Sequence, residues 1–162
     1  MQKVTLLCVG KLKEKFYRDA AAEYAKRLSR FCKLEILELP EERLPEDPAP
    51  ARIEAALARE ADAIRSRLPA SCRLIALCVE GNACTSEELA RHMAQWGNDS
   101  GGGQWLVFLI GGSFGLHDSI KGQAQERLSM SSMTFPHHLA RVMLLEQIYR
   151  AYQINGGAKY HK

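Results

Sequence analysis

The chain has 162 residues, 46% hydrophobic and 25% charged, which is enough to bury the core of one domain without staples and leaves no run of transmembrane length. Its formal net charge of +3 is too small by itself to require a polyanionic partner. Five cysteines, an odd number with no C-x-x-C pair, argue against a disulfide framework and read as reduced thiols; with no signal peptide before Lys11, the expectation is a soluble cytoplasmic protein, a single domain over 1–162. The charges are unevenly spread. Lysines and arginines load the first 33 residues and the C-terminal part, whereas acids gather from Glu41 to Glu54, a distribution compatible with phosphate contacts at the basic ends.

In chain order, Lys3 to Val9 reads as a buried strand, followed by a helix with Phe16, Ala20, Tyr24, Leu28 and Phe31 on one stripe. Leu34 to Leu39 is a second strand, and Pro40 to Pro50, rich in proline and acids, is a loop. A helix follows with Ile53, Leu57, Ala61, Ile64 and Leu68 inward, then the strand Arg73 to Val79, apolar enough for burial on both faces. Thr85-Ser-Glu-Glu88 is a capping box opening a helix that carries Leu89, Met93 and Trp96, with a glycine-rich turn from Gly97 to Gly103 after it. Trp105 to Ile110 is the most apolar strand, and Asp118 to Arg127 reads as a helix. Strands alternating with helices predict an α/β fold with a parallel sheet, covered on both faces, whose ligand lies at the rim holding Leu77 to Gly81 and Ile110 to Gly115.

The final helix, from about Pro136 to Ile154, is apolar almost all round and must be covered on more than one side. At the end of a small domain a second subunit is the natural cover, with Leu145 and Ile148 expected on the partner face.

The turn Gly111-Gly-Ser-Phe-Gly115 admits three chemical readings. It fits G-x-S-x-G, which would make Ser113 a hydrolase nucleophile served by Asp118, Glu126 or Glu146 and by His161; the chain is short for that fold, and no oxyanion segment precedes the turn. A dinucleotide site is disfavoured because G-x-G-x-x-G is absent, and a P-loop is excluded because G-x-x-x-x-G-K-[ST] is absent. A plain tight turn explains the glycines but not the polar residues that follow. A catalytically silent RNA-binding dimer stays open beside these readings.

Taken with Leu128-Ser-x-Ser-x-Met-Thr-Phe-Pro-His137, Leu145-Glu-Gln-Ile-Tyr-Arg-Ala151 and the terminal Tyr160-His-Lys162, the turn resembles the RlmH family, SPOUT methyltransferases that methylate N3 of a pseudouridine in bacterial 23S ribosomal RNA. Val9-Gly10-Lys-Leu-Lys-Glu-Lys15 and Leu77-x-x-x-Gly81 extend the resemblance over the whole chain. It implies a parallel-sheet SPOUT fold with a C-terminal deep trefoil knot, an exception to the rule against knotting. It also implies S-adenosyl-L-methionine as cofactor, a homodimer with the site near the subunit boundary, the 70S ribosome as substrate, and no metal.

By the family pattern the cofactor pocket falls on Leu77, Gly111, Gly112, Gly115 and the loop Met130, Ser131, Ser132, Met133, Thr134 and Phe135. Methyl transfer from a sulfonium is an in-line displacement that rewards alignment, and the N3 proton must leave before that nitrogen attacks. His161 is the first candidate base. Arg141 and Arg150 are candidates for phosphate contacts or for stabilising the deprotonated base, Glu146 for orienting either, and Tyr160 for stacking on the target. An i, i+4 ion pair between Glu146 and Arg150 is an equally good reading of those two.

Overall fold

The computed structural model describes residues 1–99 and 105–162. Five strands, β1 (Gln2–Val9), β2 (Cys32–Leu39), β3 (Arg73–Ala83), β4 (Trp105–Ile110) and β5 (Glu126–Ser129), form one sheet in the order β2-β1-β4-β3-β5, every pairing parallel. Among the described residues five helices accompany them: α1 (Lys15–Leu28), α2 (Pro50–Arg67), α3 (Ser86–Asn98), α4 (Asp118–Gln123) and α5 (His137–Asn155).

Side-chain alternation divides the sheet into two apolar layers. Val4, Leu6 and Cys8 of β1 and Leu106, Phe108 and Ile110 of β4 meet α1, α3 and α5. Leu7, Val9, Val107 and Leu109 meet Ala61 and Ile64 of α2 and Ile120 of α4. Burial on both faces is why the strands read as continuous apolar runs. Cys8 and Cys32 belong to the first layer, and burial pushes their thiols up to about 12 and about 11, so they act there as small hydrophobes.

The capping box forms as expected: Thr85 Oγ1 accepts from the Glu88 amide at 3.1 Å while Glu88 Oε2 accepts from the Thr85 amide at 2.7 Å. Gly97 and Asn98 extend α3, so the turn expected from Gly97 starts later, and its residues 100–103 lie outside the described part. The expected helix from Asp118 to Arg127 ends at Gln123, and residues 126–129 pair with β3 instead. Four residues reading Glu-Arg-Leu-Ser carry no usable period, and only an open sheet edge makes them a strand.

The expectation for Leu145 and Ile148 also fails. Both are fully buried in the first layer with Leu144 and Ala151, because α5 lies directly on the sheet beside α1 and α3. The half-covered side of α5 carries Leu139, Val142, Met143 and Tyr149.

Candidate functional site

The C-terminal ends of β3 and β4 open into a cavity of about 740 Å³, a volume typical of small-molecule sites. Its walls are the end of β3 from Leu77 to Glu80, the turn from Ile110 to Leu116, and the segment around Met130 to Ala140. Leu77, Gly111, Gly112, Gly115, Met130, Ser131, Met133, Thr134 and Phe135 all line it, whereas Ser132 is exposed and does not.

The glycine turn is shaped by close backbone approach. A Cβ on Gly111 would lie 2.5 Å from the Gly115 carbonyl oxygen, and Gly115 sits at φ +80°, where a side chain is strained. The Gly115 amide donates to the Gly112 carbonyl at 3.1 Å and closes the loop. Gly111→Val would therefore strike the turn itself before it met any ligand. On the opposite wall the single Ser129 hydroxyl hydrogen is shared between the carbonyls of Val79 at 2.8 Å and Ser131 at 3.0 Å, and Ser131 Oγ accepts from the Met133 amide at 3.0 Å. Small hydroxyls thus hold a loop that offers backbone groups and apolar side chains to the cavity.

Lys121 and His138 are wall residues that the sequence reading did not assign, while Val79, Glu80, Phe114 and Met133 fall within its expected rim and loop. Lys121 Nζ pairs with Glu80 at 2.6 Å, and exposed Val79, Phe114 and Met133 form an apolar rim. Glu80 lies in the expected rim segment, beside Gly81. A Cβ there would come within 2.8 Å of the Arg127 backbone, where the β3–β5 register shifts. His137 lines the cavity as well. Its pKa lies below the ordinary 6.5, chiefly from burial and then from neighbouring His138, with Glu41 opposing and Arg141 adding to the shift. At neutral pH the imidazole is uncharged.

The polar residues singled out for chemistry lie elsewhere. Arg141 is buried, donating to Glu38 Oε2 at 2.6 Å and to the Gly10 carbonyl at 3.1 Å, so it ties α5 to the ends of β1 and β2. Arg150 grips Glu146 Oε1 through Nε at 3.0 Å and Nη2 at 2.6 Å, the ion pair expected from their spacing. Tyr160 Oη donates to the same oxygen at 3.3 Å, its ring under the Arg150 guanidinium at 4.8 Å. Arg150 Nη1 donates to His161 Nδ1 at 3.1 Å, which leaves the His161 Nε2–H to donate to Glu87 Oε1 at 2.8 Å. Both ring nitrogens of His161 are engaged in this position. Along α5 the cluster lies beyond the cavity, about 9 Å from Ala140 to Glu146 and about 15 Å to Arg150 at 1.5 Å per residue.

Ser113 is at the exposed tip of the turn, and its amide donates to Glu41 Oε1 at 2.7 Å. His161 sits in the distant cluster, so the hydrolase arrangement is not assembled.

A family model described as "Predicted SPOUT methyltransferase" matches residues 2–161. The chain is similar to proteins named ribosomal RNA large subunit methyltransferase H from several bacteria. It is 48% identical over 162 residues to that of Bifidobacterium adolescentis, covering 99% of both chains. It is 45% identical to that of Clostridioides difficile, covering 98% of this chain and 99% of the other, and 43% identical to that of Streptococcus equi subsp. zooepidemicus, covering 99% of each. The chain belongs to this family of SPOUT methyltransferases. For such a methyltransferase the all-parallel sheet and the cavity at its carboxyl rim form a coherent frame. Among the described residues no helix is long and apolar enough to cross a membrane.

Proposed function

We propose that this chain methylates bacterial large-subunit ribosomal RNA with S-adenosylmethionine as donor, at N3 of a pseudouridine within the assembled 70S ribosome, the whole chain working as one catalytic domain. The observation that carries this reading is the cavity framed by the glycine turn and the 130–135 loop, in a chain that matches the family end to end.

The walls suit the cofactor. Leu77, Met130 and Phe135 offer apolar surface to an adenine, Gly111, Gly112 and Gly115 let the turn close tightly and present its backbone to the cavity, and uncharged His137 tolerates a neighbouring cation. S-adenosylmethionine supplies an electrophilic methyl group on a sulfonium. The protein's work is to hold that group in line with the acceptor nitrogen, to exclude water and to take the N3 proton.

His161 is the residue we assign to that proton, with Arg150, Glu146 and Tyr160 around it. For His161 to accept, Nδ1 must leave Arg150, so RNA entry has to draw the arginine toward phosphate. With Arg150 about 15 Å along α5 from Ala140, the last residue of its own chain's cavity, the arrangement favours a homodimer in which one subunit's tail serves its partner's cavity. The half-covered face of α5 supports this, as does Phe16, which is 65% exposed beside Tyr17; the Tyr17 ring stacks on cavity-lining His138 at 6.0 Å between centroids. Arg141 is left a structural role in this scheme. The family's C-terminal trefoil knot belongs to the same reading.

The test is incorporation of labelled methyl from S-adenosylmethionine into 70S ribosomes compared with purified RNA, beside calorimetry with S-adenosylhomocysteine. Methylation of the ribosome is expected, and a well-folded protein that binds neither cofactor form removes the proposal. Equal use of free RNA removes its ribosomal part. Sedimentation should show a dimer for the native chain and a monomer for Val142→Lys; a stable, active native monomer eliminates the shared site.

A further inference from the structure

The cavity's glycine turn is held from outside by a side chain 72 residues away in sequence. Glu41, just beyond β2, accepts from the Ser113 amide through Oε1 at 2.7 Å. The same carboxylate lies flat on Gly112, where an added Cβ would come within 2.6 Å of Oε1. Its other oxygen faces the end of β1, 3.6 Å from the position a Cβ would take on Gly10, and that position is 3.2 Å from His137 Cε1. One carboxylate therefore touches the turn that forms one cavity wall and adjoins the imidazole that forms another.

The loop that carries Glu41 is itself anchored. The Glu42 amide donates to Glu60 Oε2 at 2.8 Å, Glu60 being only 7% exposed on α2, and the Glu42 carboxylate pairs with Arg59 at 3.3 Å. The acidic stretch that reads in the sequence as a plain loop thus has a defined place. A charge-assisted hydrogen bond to a backbone amide is among the stronger ones available, and a turn built on glycines has no side chains of its own to keep it in shape.

We propose that Glu41 is a positioning residue for the methyl-donor site: its carboxylate, on a loop anchored to α2 through Glu42, holds the Gly112–Ser113 peptide in the shape that receives S-adenosylmethionine. This rests on the assignment of the cavity as the cofactor site. Glu41 acts through the turn and through His137, without contact to the reacting atoms.

The experiment compares the native protein with Glu41→Ala and Glu41→Gln. Calorimetry measures S-adenosylhomocysteine binding, hydrogen exchange follows the peptide covering 110–116 in the unliganded protein, and kinetics separates KM for the methyl donor from kcat. Glu41→Ala should bind about tenfold more weakly, the loss of about one hydrogen bond to a charged group, with faster exchange in the turn and a raised KM for the donor while kcat stays near native. Glu41→Gln keeps an oxygen acceptor and should recover most of the affinity and the slow exchange. Native affinity and native exchange in Glu41→Ala overturn the proposal, as does a Glu41→Gln variant no better than the alanine. A native protein that fails to bind the cofactor overturns the cofactor site together with this proposal, whereas native binding with unaffected variants overturns this proposal alone.

Discussion

The two ends of α5 are built on opposite principles. At its start the cavity is made of backbone, small hydroxyls and apolar side chains, with an apolar rim of Val79, Phe114 and Met133 left exposed. At its far end Arg150, Glu146, Tyr160, His161 and Glu87 satisfy one another in a closed set of hydrogen bonds. The first region is open and apolar, and in the proposed scheme the second holds its polar groups in reserve. A methyl-donor pocket gains from being preformed, because alignment is its contribution, whereas groups that handle a proton and a polyanion can be stored in mutual pairs until the substrate competes for them.

The sharpest way to break this comparison is to remove the reserve. Deleting Tyr160 to Lys162 should lower methyl transfer by about 10²–10⁴-fold, the usual range for a lost general base, with S-adenosylmethionine affinity nearly unchanged. Because Tyr160 packs edge-on against Tyr149 and His161 bridges to α3, the melting temperature should also fall by a few degrees, more than a free chain end would cost. In His161→Ala the rate deficit should shrink at high pH, where the target nitrogen ionises unaided. Full activity in the truncated protein returns the tail to a structural role.

Damage to the preformed region should show in binding. Gly111→Val drives a branched side chain into the Gly115 backbone, so cofactor affinity should drop about 100-fold or more and the melting temperature should fall with it. Normal binding by this variant misplaces the pocket.

A smaller effect comes from His137. Its pKa in the folded chain lies below the ordinary 6.5, so the ring is neutral above that value and gains charge only as pH falls through the lowered one. Affinity for cationic S-adenosylmethionine should be flat from neutral pH upward and decline on acidification, more steeply than affinity for S-adenosylhomocysteine, whose sulfur is uncharged. Calorimetry from pH 5.5 to 8 checks this, and His137→Asn should flatten the difference. The unfolded chain takes up the histidine proton first, so this group also favours unfolding once pH drops below its ordinary value.

The mildest change concerns the anchor beneath Glu41. Burial, with Glu41 and Glu42 adding to it, raises the pKa of Glu60 above the ordinary 4.5, so the folded state binds its proton more tightly than the unfolded one. Its ionisation therefore costs stability as pH rises past the ordinary value, and that cost persists at neutral pH. Glu60→Gln retains an acceptor for the Glu42 amide and should raise the melting temperature by about 2–4 °C at pH 7, with the gain vanishing near pH 4. An unchanged or lower value at pH 7 shows that the charge, and not only the acceptor, holds the loop.

Local pattern determined much of this molecule. Continuous apolar runs from Val4 to Val9 and from Leu106 to Ile110 implied strands buried on both faces, the 85–88 capping box marked where α3 begins, and the ordered motifs from Gly111 onward carried the family and with it the cavity residues. Each of these signals is contained in a few adjacent residues whose periodicity or backbone demand is readable without a partner. Tertiary structure alone decided that residues 126–129 form a strand, that Leu145 and Ile148 face the chain's own sheet, that Arg141 is spent on Glu38 and Gly10, and that Glu41 reaches Ser113. Those outcomes depend on which surface each element meets across 46 to 131 residues of chain, and an apolar or charged side chain carries no mark of the neighbour it will find.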